Sequence, residues 1–191
     1  MKFFRKHIVE NEIISVLKIP PFSYMMISEF FSQLAFNMQH FILIVVIYKL
    51  THSNTAVSGL ILSLTIPSIV FSLFSGVLVD RWNKKKVLFF SNLLRGFIIL
   101  PFLIYNLHIG IIYFLTFLIA IATQFFIPAE SSIIPSLVPR RLIFPANAVF
   151  SLGIYGTILF GYILAGPMLL ALGRENSILL LSLFFFLLDN Y

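Results

Sequence analysis

Cysteine is absent, tryptophan occurs once, and Asp, Glu, Lys and Arg together make up only 10% of the 191 residues. Without cysteine there is no disulfide framework and no thiolate metal site, and the redox compartment cannot be read. The four histidines, His7, His40, His52 and His108, are scattered without ligand spacing, so no metal and no cofactor is expected. Enzymatic signatures are missing too. There is no Gly-x-Ser-x-Gly setting for a Ser-His pair, no His-Glu-x-x-His and no pair of aspartates at membrane depth, which argues against an intramembrane protease or lipid transferase.

What is present is apolar. Hydrophobic residues make up 60% of the chain, against roughly 45–50% in soluble domains, and the mean hydropathy is +1.03. A water-soluble fold of this size has no interior for 23 Phe residues, whereas a bilayer accepts them on every outward face. The formal net charge of +6 is carried in the gaps between apolar runs and not on one face of a domain. It therefore reads as topogenic charge rather than as a nucleic-acid footprint. Membrane lipid is the expected partner; nucleic acid is not.

Runs of about 20 apolar residues, the length that spans a bilayer, lie near 22–48, 56–79, 87–105, 108–127 and 149–172, and a sixth begins near Ser177. From there to Tyr191 about 15 residues, rising about 1.5 Å each, cover about 22 Å of a hydrocarbon core roughly 30 Å thick. The expectation is an all-α membrane protein of six transmembrane helices, residues 22–191, with the sixth truncated. Residues 1–21 form an amino-terminal segment in which Phe4, Ile8, Val9, Ile13 and Leu17 recur at helical spacing, the pattern of an interfacial helix or of a mobile basic tail. No small-residue cleavage site follows Lys2, Arg5 and Lys6, so the first span is expected to remain as an anchor.

Orientation follows from the cations. Lys2, Arg5, Lys6, Lys18, Arg81, Lys84, Lys85, Lys86, Arg140 and Arg141 fall on one set of alternating loops, and only Lys49 and Arg174 on the other. Positive residues are retained inside, which predicts a cytoplasmic amino terminus in a multi-pass protein of the cell's inner (plasma) membrane. Pro20-Pro21 precedes the first span, and Pro128, Pro135, Pro139 and Pro145 read as a fourth loop, with Asn147 as a candidate cap of span five.

Polar residues at membrane depth are the candidate functional groups. Glu29, Gln33, Asn37 and His40 fall within an arc of about 80° at about 100° per residue, so they line one face of span one. Such a stripe borders a water-filled cavity or hydrogen-bonds a partner helix. An intramembrane acid is a functional-site candidate, and Glu29 is the candidate proton carrier. Arg95, the thirteenth cation, falls in mid-span three, one turn after Ser91 and Asn92. Its guanidinium needs a partner or a cavity, with Glu29 the nearest candidate and substrate anions or backbone carbonyls the alternatives. Gln124 in span four reads as packing.

The segment Gly76-Val-Leu-Val-Asp80-Arg81-Trp-Asn-Lys84-Lys85-Lys86, closing span two and opening span three, resembles the cytoplasmic signature of the major facilitator superfamily, G-x-L-a-D-R-x-G-[RK]-[RK]. Gly76 is read as permitting close helix approach. Asn83 replaces the usual glycine, and Asn tolerates the left-handed conformation. A second segment, Pro128-Ala-Glu130-Ser-Ser through Pro135 and Pro139 to Ala146-Asn147-Ala148, is similar to the fourth loop of the branch that contains macrolide-efflux and enterobactin-exporter proteins. Span five is similar, in degenerate form, to the pattern of drug-proton antiporters: Gly153, Gly166 and Pro167 fall in register, but Tyr162 and Leu170-Ala171 replace glycines. Helix packing through Gly153, Gly156, Gly161 and Ala165 explains those glycines equally well.

These resemblances imply the amino-terminal six-helix half of a twelve-helix secondary transporter that works by alternating access. Asp80 and Lys84, with Glu130 as a third member, would form an ionic latch that opens as the transporter switches, and Gly76, Arg81 and Lys85 complete the conformational-switch motif. The expected activity is export of amphipathic small molecules or drugs by proton antiport, with a missing carboxyl-terminal half as partner. An importer of the same superfamily, a homodimer of halves and a non-transporting membrane scaffold are the alternatives.

Overall fold

The computed structural model describes residues 12–104 and 107–187. Residues 12–17 are helical, and Phe4, Ile8 and Val9 of the expected surface helix lie outside the described residues. Five long helical stretches are apolar enough to cross a membrane, and there is no strand among the described residues. They are α1 (Pro20–Thr51), α2 (Asn54–Arg81), α3 (Lys84–Ile99), α4 (Ile109–Leu137) and the stretch Ile143–Leu187. The last is broken at Gly173, whose φ of 74° and ψ of 175° are closed to residues with a side chain. It is therefore two helices, α5 (143–172) and α6 (174–187), and among the described residues six long apolar helices are present, as the sequence predicts.

Local chemistry sets the boundaries. Proline occupies the first turn of α1, where its missing N–H costs nothing. The helix stops at His52, in the left-handed region with φ of 50°, whose N–H donates to the Tyr48 carbonyl at 2.8 Å. The Ser53 side chain accepts from the Ala56 N–H at 3.4 Å and starts α2. Only Trp82 and Asn83 separate α2 from α3. Asn83 is not left-handed as its glycine-like position suggests: with φ of −71° and ψ of 110° it is the N-cap of α3, accepting from the Lys86 N–H at 3.3 Å.

α3 tightens into a 3₁₀ turn, Leu100–Leu103, at Pro101. The carbonyls freed there are taken up by Arg174, which donates to Phe102 at 2.8 Å and Ile104 at 3.0 Å and so ties the start of α6 to the end of α3. The fourth loop is shorter than predicted, because α4 runs through Pro128 and Pro135 to Leu137. Proline is tolerated there because neighbouring helices support the backbone. Asn147 lies inside α5 and does not cap it; its amide donates to the Ile143 carbonyl at 2.8 Å.

α1 packs most closely against the α5–α6 pair, α2 against α4, and α3 against α4 and then α6, while α2 and α3 barely touch. Two apolar clusters result. One contains Leu34, Met38, Ile42, Ile99, Ile119 and Phe185. The other, at the end carrying Arg81, Lys84 and Arg140, contains Phe22, Met25, Leu88, Phe126, Ile134 and Leu142. On α1 the buried polar residues Ser28, Glu29, Ser32 and Gln33, and on α3 Ser91, Asn92 and Arg95, fall in the gap between these clusters.

Candidate functional site, a buried carboxyl–guanidinium layer

Glu29 lies nine residues into α1, Glu130 seven from the end of α4 and Arg95 eleven into α3. At about 1.5 Å per residue, with α1 and α3 running one way and α4 the other, these groups come to one level, nearer the basic end than the other. All three are buried: Arg95 is 0% exposed, Glu130 2% and Glu29 5%. The carboxyls of Glu29 and Glu130 are neighbours, Gln33 lies near both, and the Arg95 charge acts on both; Oε1 of each carboxyl is buried without a hydrogen-bond partner among the described residues.

Arg95 is held from several sides. Its Nη2 donates to Asn92 Oδ1, and to Ser32 Oγ at 3.4 Å; Ser32 in turn donates to Asn92 Oδ1 at 3.0 Å. Its guanidinium carbon lies 4.2 Å from the ring centre of Phe126, 5.0 Å from Phe185 and 5.9 Å from Phe36. Aromatic faces attract a cation at such range, and more so when water is excluded. The space enclosed by Ser28, Glu29, Ser32, Asn92, Phe126 and Glu130 is about 10 Å³, at the lower limit for one water. The layer has space for at most one water.

The polar stripe of α1 thus divides. Glu29 and Gln33 join the layer. Asn37 donates to its own helix at the Gln33 carbonyl, 2.8 Å away, and packs under Gly161 of α5. His40 is half-buried, stacked edge-on against Phe36 at 4.2 Å, and is not brought to the carboxyls. Gln124 donates to Ser68 Oγ at 3.0 Å and tethers α4 to α2.

The loop residues behave differently. Asp80, Arg81 and Lys85 are exposed, and Lys84 Nζ donates to the Asp80 backbone carbonyl at 2.8 Å. Glu130 is not grouped with Asp80 and Lys84, since its neighbours are Glu29, Gln33 and Arg95. Gly76 permits no close approach here: a Cβ built on it meets nothing within 4 Å. In α5 the tight contact is at Gly161, where a Cβ would lie 2.6 Å from Asn37 Cβ. Gly153 faces only the flexible tip of Met26, and Gly166 has ordinary contacts. Pro167 lies within α5, and the helix continues through it.

Sequence reasoning found Glu29 and Arg95 but missed Ser32, Phe126 and the pairing of Glu130 with Glu29. Ser32, three residues after Glu29 on a helix, carried a usable signal. Phe126 carried none among 23 Phe.

Six antiparallel apolar helices around a buried ionisable layer define a multi-pass, all-α membrane protein. Residues 25–188 match the Major Facilitator Superfamily, and the chain belongs to that family. It is 28% identical over 130 residues to the uncharacterized MFS-type transporter YkuC of Bacillus subtilis (strain 168), covering 67% of this chain and 30% of the relative. It is 33% identical over 134 residues to YjbB, another uncharacterized MFS-type transporter of that strain, covering 67% of this chain and 33% of the relative. The chain therefore spans about a third of the length of these relatives. In fold it resembles the in meso crystal structure of the POT family transporter PepTSo, with a TM-score of 0.73 at 21% identity over 90% of this chain and 36% of that one.

Proposed function

We propose that the chain is one six-helix half of a secondary active transporter that exports amphipathic small molecules by proton antiport, and that the Glu29–Glu130 pair carries the coupled proton. The amino terminus and the Arg81–Lys86 loop face the cytoplasm in this reading, and a second six-helix half completes the substrate site between the two.

The observation that carries it is the contact between two buried carboxyls beside one buried guanidinium. An ionised carboxylate only accepts hydrogen bonds. We assign one proton shared between the two carboxyls, since two adjacent buried carboxylates repel each other without it. One shared proton leaves the pair with one negative charge, which Arg95 balances, so the closed layer is neutral at low dielectric. Moving α1 against α4, or admitting water, breaks the bond and frees the proton. Rigid-body rocking of one bundle against another supplies that motion in alternating access. The apolar, mostly exposed faces of α2 and α5 are the surfaces available to the second half.

The test is dye efflux driven by a pH gradient in proteoliposomes containing the intact gene product. Glu29→Gln and Glu130→Gln are each expected to abolish the dependence of flux on the gradient while leaving facilitated exchange of dye. Unchanged coupling in both variants would remove the pair from the mechanism. Absence of any flux and of any ligand-dependent stabilisation would favour the scaffold reading.

A further inference from the structure

α2 and α3 are joined by two residues yet barely touch, because α4 packs against both and holds them apart. Beside that junction lies an open cleft of about 820 Å³ walled by α3 and α4, to which α2 contributes only its last residue, Arg81; its volume is within the range of about 300–1,000 Å³ usual for ligand sites. No member of the Glu29–Glu130–Arg95 layer lines it, so whatever it holds is distinct from the proton site.

Its chemistry is graded along its length. Phe90, Leu94 and Phe125 give the body an apolar wall, and the charge is confined to one end, where Arg81 and Lys86 line the rim. No acidic residue lines the cleft. The neighbouring cations are directed elsewhere: Lys84 is held by the Asp80 carbonyl, and Lys85 lines a separate cavity with Pro21 and Tyr24. Trp82 stands at the same rim, stacked on Phe125 with ring centres 6.0 Å apart and planes 22° apart. An indole at that level marks the boundary between acyl chains and headgroups.

We propose that this cleft binds one anionic phospholipid, its phosphate between Arg81 and Lys86 and its acyl chains along Phe90, Leu94 and Phe125. A soluble anion would leave the apolar body without a partner, and a neutral lipid would leave two cations facing apolar surface. Basic pockets between transmembrane helices select anionic headgroups for this reason.

Trp82 is the only tryptophan in the chain, so its fluorescence reports this cleft alone. The purified chain is titrated with phosphatidylglycerol and phosphatidylcholine of the same brominated acyl chains, and quenching gives their relative affinities. Phosphatidylglycerol is expected to be preferred, and Arg81→Gln with Lys86→Gln to reduce that preference about twenty-five-fold, from about one factor of five per cation. Arg140→Gln with Arg141→Gln removes two exposed cations from the same end and is expected to leave it unchanged. Helical circular dichroism confirms that each variant folds. Equal quenching by the two lipids in the unaltered chain overturns the proposal. So does an equal loss in the Arg140 and Arg141 variant, which would mean diffuse surface charge. Competition by glycerol phosphate as strong as by whole lipid would also overturn it, since the acyl chains would then contribute nothing.

Discussion

Two charged regions lie at the same end of the bundle and differ in almost every physical respect. The loop from Asp80 to Lys86 is open to its surroundings, its cations exposed or, at Lys84, bonded to backbone. The Glu29–Glu130–Arg95 layer is sealed by aromatic rings, with space for at most one water. The loop carries the pattern that resembles the family signature; the layer carries buried ionisable groups packed against one another. Exposed charges are screened and interact weakly, whereas a buried group must be balanced by its immediate neighbours. Ease of recognition and chemical consequence have therefore separated, and the separation can be tested from both sides.

The largest effect is expected at Arg95. Arg95→Met keeps the apolar stem but leaves two buried carboxyls without their cation, a loss of about 3–5 kcal/mol for a buried partner removed. Thermal unfolding in micelles should show it as a large fall in Tm. Arg95→Lys keeps the charge but loses the planar contacts with Phe126 and Phe185, and should fall between the two. If Arg95→Met unfolds no earlier than the unaltered chain, the layer contributes nothing to stability, and its difference from the loop disappears.

Much of this contrast was legible before any coordinates. Six spans, their alternation and the basic side follow from run lengths and from ten cations set against two. Glu29 and Arg95 announce themselves as charges in the wrong solvent. Glu130 was misplaced because Pro128 and Pro135 were read as breakers; that rule holds in water, where a broken helix can solvate its backbone. Among packed helices the chain does better to stay helical, so α4 extends ten residues past the predicted Phe126-Ile127 end and carries Glu130 inward. Partners across helices, such as Ser32 with Asn92, depend on rotation about each axis, which a uniformly apolar sequence does not encode.

The next effect in size concerns the glycines of α5. Gly161→Ala places a methyl group 2.6 Å from Asn37 Cβ and 3.4 Å from the Met38 backbone nitrogen, neither of which can swing aside. The overpacking should cost about 1–3 kcal/mol. Gly153→Ala meets only the flexible Met26 tip and should cost less. Unfolding midpoints ranked Gly153 below Gly161 would reverse this order. That outcome would restore the antiporter-like register, to which Gly153 belongs and Gly161 does not.

The smallest effect on the chain itself is expected at Gly76, in the recognised motif. With nothing within 4 Å of an added Cβ, Gly76→Ala has no clash to set against the gain in helix propensity, worth up to about 1 kcal/mol. Its Tm should therefore be unchanged or slightly higher. If a second six-helix unit packs on α2, the same methyl group meets that unit, and transport flux falls while the stability of this half does not. A parallel loss of stability and flux would place the motif's glycine in the packing of this bundle. A loss of flux alone would place its contact outside the bundle, where the exposed faces of α2 already point.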